Sequence, residues 1–225
     1  QTSQPTASVH QFEGEKCQSM DLREKIWDVL GIKQTQSPPP WIGVNRFTRV
    51  DMASLFKDLG YGIGAEVGVR YGYYSRVLCD KIPSLKLYCI DPWGESYSDE
   101  RVRFKMDKGY FRARRNLAGY DVEFIKKKSM EALPDIKDES LDFVYIDAAH
   151  DFDNVMMDII GWSKKVRTGG IVSGHDYSIH PRQNFGVIDA TQAYTKAHRI
   201  NEWYITHIGA NGIEGETPSW FWVKK

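Results

Sequence analysis

Residues 63–75 read Ile-Gly-Ala-Glu-Val-Gly-Val-Arg-Tyr-Gly-Tyr-Tyr-Ser: a short apolar run, an acid near its end, a turn with two glycines, and the opening of a helix. A strand that turns into a helix in this way belongs to an open α/β sheet, where ligands sit beyond the carboxyl ends of the strands. Gly68 and Gly72 put no Cβ in the way of a ligand and accept positive φ. Glu66 points a carboxylate toward the space above the turn. The spacing is acid-x-Gly-x-x-x-Gly. A dinucleotide fingerprint would read Gly-x-Gly-x-x-Gly, so that a helix N-terminus could take the pyrophosphate. The pattern here suits a cofactor that lacks phosphate and carries positive charge.

The rest of the chain alternates between the two periods. Strands are expected at 62–69, 85–90, 122–126, 141–146 and 170–174, with helices at 73–81, 98–117, 129–133, 152–165 and 187–198 between or after them. Residues 203–208 and 220–223 read as a closing pair of strands. This order predicts a doubly wound, mostly parallel, seven-stranded Rossmann-like sheet with one antiparallel edge strand and helices on both faces. With 225 residues the chain has room for one large α/β domain. Residues 61–225 are assigned to it, 1–19 to a polar tail, and 20–60 to a helical lid or flank. In that flank, helices at 20–30 and 49–59 are separated by a proline-rich linker at 34–40. Thirty basic and thirty acidic residues cancel, so a general polyanion-binding surface is not implied. Residues 1–16 lack the apolar core of a signal peptide, and no run is long enough to span a membrane. Cys17, Cys79 and Cys89 lack metal-type spacing and read as free thiols, so a cytoplasmic setting is expected.

Three further segments end in groups that can do chemistry. Leu87-Tyr88-Cys89-Ile90-Asp91-Pro92-Trp93 places an acid about 20 residues past the glycine turn, the spacing of a carboxylate that accepts both ribose hydroxyls. Trp93 can offer a face to an adenine. Ser129 follows the next strand. Then come Ile146-Asp147-Ala148-Ala149-His150 and Gly174-His175-Asp176, which open onto the same edge.

From about Ala65 to Tyr177 these segments resemble the class I S-adenosylmethionine-dependent methyltransferases. Within them they resemble the O-methyltransferase branch that includes sugar and macrolide-glycoside methyltransferases. The resemblance implies S-adenosylmethionine as cofactor, held by Glu66, Gly68, Gly72, Ser75, Asp91, Trp93, Ser129 and Asp147. It also implies a divalent metal, Mg²⁺ or Mn²⁺, at Asp147 and Asp176. His175 stands where the family's first acid of the pair would be, a departure that leans away from Mg²⁺. Metal-free catalysis, with His175 or His150 as general base, is the other implied route. Asp147, His150 and His175 are thus the expected catalytic residues, and Asp147, His175 and Asp176 the expected metal ligands. The acceptor expected is a small-molecule hydroxyl, a sugar or other polyol, contacted by His180, Arg182 and Asn184 in the loop at 178–185. Self-association is left open.

Two other classes share parts of this pattern. An NAD-dependent oxidoreductase would share the sheet and Asp91, but the chain lacks Gly-x-Gly-x-x-Gly and a short-chain Tyr-x-x-x-Lys. A nucleic-acid binder could use Arg101, Arg103, Lys105, Lys108, Arg112, Arg114 and Arg115 with Tyr110 and Phe111. Asp99, Glu100 and Asp107 dilute that charge, and the base-methylating Asn-Pro-Pro-Tyr signature is absent.

Overall fold

The computed structural model describes residues 21–33, 40–42, 47–96, 100–179, 185–207 and 217–225. The expected tail with Cys17, most of the proline-rich linker, and the acceptor-loop residues His180, Arg182 and Asn184 lie outside the described residues. So do the side chains of Arg101, Arg103 and Lys105.

Among the described residues, eight strands form one sheet in the order β1-β7-β8-β6-β5-β2-β3-β4. They are β1 (Trp41–Ile42), β2 (Ile63–Val67), β3 (Lys86–Ile90), β4 (Val122–Ile125), β5 (Leu141–Ile146), β6 (Val166–Gly174), β7 (Trp203–Ile205) and β8 (Trp220–Val223). All neighbours run parallel except β8, which is antiparallel to both β6 and β7. The seven expected strands are present with a single antiparallel member. That strand lies inside the edge rather than at it, because β7 passes outside β8 and then takes up the two-residue β1. Such a short pairing leaves no alternation to read in a sequence.

The helices are α1 (Leu22–Leu30), α2 (Arg49–Asp58), α3 (Tyr73–Lys81), α4 (Glu100–Asn116), α5 (Ser129–Ala132), α6 (Phe152–Lys165) and α7 (Val187–Ala197). Local signals set their ends. Thr48 and Asp51 form a capping box that starts α2, and the Asp151 carboxylate accepts from the Asn154 amide to start α6. Gly31, at φ 65°, closes α1. None of the helices among the described residues is long and apolar enough to cross a membrane.

Strand alternation divides the core between the two faces. Phe143 and Tyr145 point to the face covered by α2 and α3, where Phe143 stacks on Phe56 at 4.4 Å and Tyr145 lies 4.3 Å from Tyr74. Val144 and Ile146 point to the other face, against Ile159, Trp162 and Trp220. Ile26 and Leu30 of α1, with Met52 and Phe56 of α2, belong to the first cluster. The N-terminal helices are therefore core elements, whatever else they do.

One glycine fixes how the central strands end. Gly68 has φ 96°, and a Cβ built there would stand 1.9 Å from the Asp147 carbonyl oxygen. Gly119 has a similar φ of 93° but open space around it. A non-glycine residue in such a conformation costs about 1–3 kcal/mol by backbone strain alone. Gly119→Ala should therefore lower the denaturant-derived stability within that range. Gly68→Ala should cost more, by ~2 kcal/mol or beyond, because the strand ends must also part. Equal losses would show that the contact with Asp147 yields without strain.

Candidate functional site

The backbone bonds past the strand ends bring the acids into one cleft. The Gly68 amide donates to the Ile90 carbonyl at 2.8 Å, Asp147 to Val67 at 2.7 Å, and His175 to Ile146 at 2.9 Å. These bonds carry the register of β3, β2, β5 and β6 one step beyond the sheet. A cleft of about 910 Å³ opens there, and Glu66, Gly68, Asp91, Ser129, Asp147, His150, His175 and Asp176 all line it.

Asp91 is the clamp of the glycine turn. Its Oδ2 accepts the Arg70 amide at 2.8 Å and its Oδ1 the Trp93 amide at 2.6 Å. Both donors sit at positive φ, 52° for Arg70 and 44° for Trp93, a strained conformation that the paired bonds hold in place. Burial raises the Asp91 pKa, with these amides working against it. Each carboxylate oxygen retains a second lone pair for a ligand.

Trp93 corrects an expectation. Its ring is fully buried, donates from Nε1 to the Arg70 carbonyl at 2.8 Å, and packs on Tyr110 and Phe124. The ring expected to offer a face to an adenine is instead a strut beneath the turn. Ser75 is corrected likewise. It is fully buried outside the cleft lining, and its hydroxyl donates to Glu66 Oε2. Gly72, at φ 72°, caps the start of α3 and also lies outside the lining, so its part is to shape the turn.

Glu66 does face the cleft, and it is nearly fully buried. Burial pushes its pKa up to about 8, although the bond from Ser75 pulls the other way. Ser129 sits after β4 and donates to Asp158 Oδ1 while accepting from Trp162 Nε1 at 2.8 Å.

At the other end, Asp147, His175 and Asp176 bring three potential ligand atoms within 4.8 Å of one another. His175 Nδ1 lies 3.3 Å from Asp176 Oδ1 and 3.7 Å from Asp147 Oδ2. The Thr217 hydroxyl spends its hydrogen on Asp176 Oδ1 at 2.6 Å and lies 3.4 Å from His175 Nε2. With that hydrogen used, Nε2 is the donor to Thr217, and Nδ1 faces the two carboxylates. Bare, that nitrogen would aim a lone pair at two anions; a hydrogen on it bonds to Asp176, and a metal ion could stand in that hydrogen's place. His150 supplies a charge nearby: its Nε2 is 2.9 Å from Asp176 Oδ2 and 3.9 Å from Asp147 Oδ1. The carboxylates of Asp147 and Asp176 raise the His150 pKa to about 9, and the contact with Asp176 is the tighter of the two. Burial opposes it, but hydrogen bonds from His150, His175 and Thr217 hold Asp176 well below the usual carboxylate range.

Two lining residues escaped the sequence reading. Arg49, the first residue of α2, enters the cleft with its guanidinium 5.1 Å from the Tyr74 ring and bonded to Tyr145. Nothing local in the sequence marks it, since its neighbours are far away in the chain. Asp158 did leave a signal. Val155, Asp158, Ile159 and Trp162 form the inward stripe of α6, and an acid interrupts an otherwise apolar face.

Comparison with known proteins agrees with this geometry. The family described as "Methyltransferase domain" matches residues 65–177. An "Uncharacterized protein y4gI" of Sinorhizobium fredii is 29% identical over 129 residues, which are 54% of this chain and only 14% of that protein. Among solved structures, the O-methyltransferase TomG from Streptomyces achromogenes, involved in tomaymycin synthesis and in complex with SAM, aligns with TM-score 0.55 at 19% identity. The alignment covers 79% of this chain and 80% of that one. An O-methyltransferase from Bacillus cereus in complex with SAH aligns with TM-score 0.55 at 17% identity, covering 93% and 94%. The chain belongs to the methyltransferase-domain family.

The His150 pairing has a titration signature. A raised pKa means the interaction stabilises the fold below the unfolded value near 6.5, and its contribution is lost as pH rises through about 9. In metal-free protein the His150 imidazole resonances should titrate near pH 9, and thermal stability should fall across that alkaline window. His150→Gln should flatten the fall. A midpoint near 6.5 would mean that the carboxylates do not hold this ring.

Proposed function

We propose that this chain, a member of the methyltransferase-domain family, transfers the methyl group of S-adenosylmethionine to a hydroxyl oxygen of a small molecule, a sugar or other polyol. The observation that carries the reading is the convergence of Glu66, Asp91 and Asp147, from three neighbouring strands, on one cleft beside a glycine turn. The donor presents an ammonium, a ribose diol and a sulfonium, each of which calls for a carboxylate or an acceptor oxygen. The printed descriptions of the aligned structures, O-methyltransferases with SAM or SAH, lend it support.

In the reaction the acceptor oxygen forms a bond to the methyl carbon, the carbon–sulfur bond breaks with its electrons left on sulfur, and the hydroxyl proton departs. The protein's share is positioning and proton management. Glu66 receives the ammonium, which restores the charge that burial suppresses. Asp91 accepts the ribose hydroxyls with the lone pairs left over from its backbone bonds. Gly68 lets the main chain approach the methionine end.

Asp147, His175 Nδ1 and Asp176 would hold a divalent cation, and their donor set of two carboxylates and an imidazole suits Mn²⁺ better than Mg²⁺. When bound, such an ion supplies charge that acidifies the acceptor hydroxyl. The 2.9 Å contact of His150 with Asp176 favours a second reading, in which the imidazolium is the cation and no metal is needed. His175 then takes the acceptor proton at Nδ1.

Calorimetry should find binding of S-adenosylhomocysteine and none of NAD; the reverse would end the proposal. Asp91→Asn should weaken S-adenosylhomocysteine by ~10-fold, the loss expected for a charge-assisted hydrogen bond, with the fold checked by thermal denaturation. Exhaustive chelation should abolish turnover, and Mn²⁺ or Mg²⁺ should restore it. Full activity in chelator would remove the metal and leave the histidine route.

A further inference from the structure

Asp158 is an acid in an unusual place. It is 3% exposed on the inward stripe of α6, yet it lines the cleft rather than the apolar core. Among the described residues its hydrogen-bond partner is Ser129 alone, at Oδ1, and no cation pairs with it. Ser129 is in turn fixed by the Trp162 indole, one helical turn on from Asp158. Indole, hydroxyl and carboxylate thus form a short directed chain that ends on a residue lining the cleft, with no hydrogen bond at Oδ2 among the described residues.

A buried carboxyl without enough donors carries a free-energy penalty, and burial raises the Asp158 pKa to about 6. With Ser129 as its one donor among the described residues, such a carboxyl has unused acceptor capacity. It makes sense where a ligand brings the missing donor. The Asp91 end of the cleft is suited to a ribose, and Ser129 lies beyond it after the adjacent strand β4. A nucleoside with its sugar at Asp91 would carry its base toward Ser129 and Asp158. Of the edge groups of a purine, an exocyclic amino group donates and a ring carbonyl accepts.

We infer that Asp158, oriented by Ser129 and Trp162, accepts a hydrogen bond from the exocyclic amino group of the cofactor's adenine and so makes the site selective for adenine over 6-oxopurines. The inference rests on the reading of the cleft as an S-adenosylmethionine site. A 6-oxopurine would set its carbonyl oxygen against this carboxylate, two acceptors with no hydrogen between them. Sites built around a specific hydrogen bond reject analogues that lack it far more strongly than apolar pockets do.

The test compares S-adenosylhomocysteine with S-inosylhomocysteine by calorimetry, on the wild-type chain and on Asp158→Asn. An amide can accept from the amino group or donate to the carbonyl, so it should tolerate either base. Wild type should prefer the adenosyl ligand by ~10-fold or more, the scale of one charge-assisted hydrogen bond, and Asp158→Asn should bring the two within ~3-fold. Asp158→Ser is the second variant where Asn does not fold. Equal binding of the two ligands by wild type, or full discrimination kept by a folded variant, would overturn the inference and leave the cofactor reading intact. Wild type that binds neither ligand would overturn both.

Discussion

The approach of the Gly68 turn to the Asp147 backbone is the contact on which the site depends. β2 and β5 can end side by side only because residue 68 has no Cβ, since any Cβ would overlap the Asp147 carbonyl. The turn that follows is strained at Arg70, and the Asp91 carboxylate holds it by accepting the Arg70 and Trp93 amides. Three strands are tied together by these two features, and the tie is made where a ligand would sit. A carboxylate that binds a ribose here would also be the one that keeps its binding turn in shape. Cofactor affinity and local stability are therefore coupled through Asp91, which is why a conservative Asn substitution is more informative than Ala.

Electrostatics divide the cleft into two halves. Among the described residues Glu66 and Asp158 each have a serine for a partner, and burial raises both pKa values, although the Arg49 charge works against the rise at Glu66. Asp176 is the opposite case, crowded by His150, His175 and Thr217 and held ionised. The first pair wait for donors from a ligand. The second cluster already has the His150 charge beside it, which suits the proton transfer or ion binding proposed for it. Under the proposed function, the first pair would receive groups of the donor, and the charged cluster would handle the acceptor's proton.

Much of this was legible in the sequence because it rests on local signals. The helices at Tyr73–Lys81 and Phe152–Lys165 and the strands at Leu141–Ile146 and Trp220–Val223 coincide with their expected limits, since glycine turns, caps and alternation mark them. Glu66, Asp91, Asp147, His175 and Asp176 line one cleft because acids at parallel strand ends share an edge. What failed was side-chain direction. Trp93 sits two residues past Asp91, but its left-handed backbone turns the ring inward, which no spacing rule encodes. Ser75 lies one helical turn inside α3 and meets Glu66 from behind. Asp158 breaks the apolar stripe of α6, but its partner Ser129 comes from another segment of the chain, 29 residues away. Arg49 and β1 depend on contacts distant along the chain.

The boundary of the family match carries a final implication. Residues 65–177 contain the glycine turn, Asp91, Ser129 and Asp158, which the proposed function assigns to the donor, and the Asp147–Asp176 cluster. The parts that press on the reaction centre from outside that span are Arg49 on α2, Phe185, whose ring stacks on His150 at 4.7 Å, and Thr217 before β8. Phe185 and Thr217 touch His150 and Asp176, which would handle the acceptor or its proton, Arg49 enters the same cleft, and none of the three is set by the motifs that would recognise the donor. A fold can thus keep its donor site while its flanks change the acceptor. Structures below 20% identity can then share this sheet without sharing a substrate. The acceptor should accordingly be sought through substitutions in those flanking residues, where a change in acceptor preference can occur without a change in cofactor affinity.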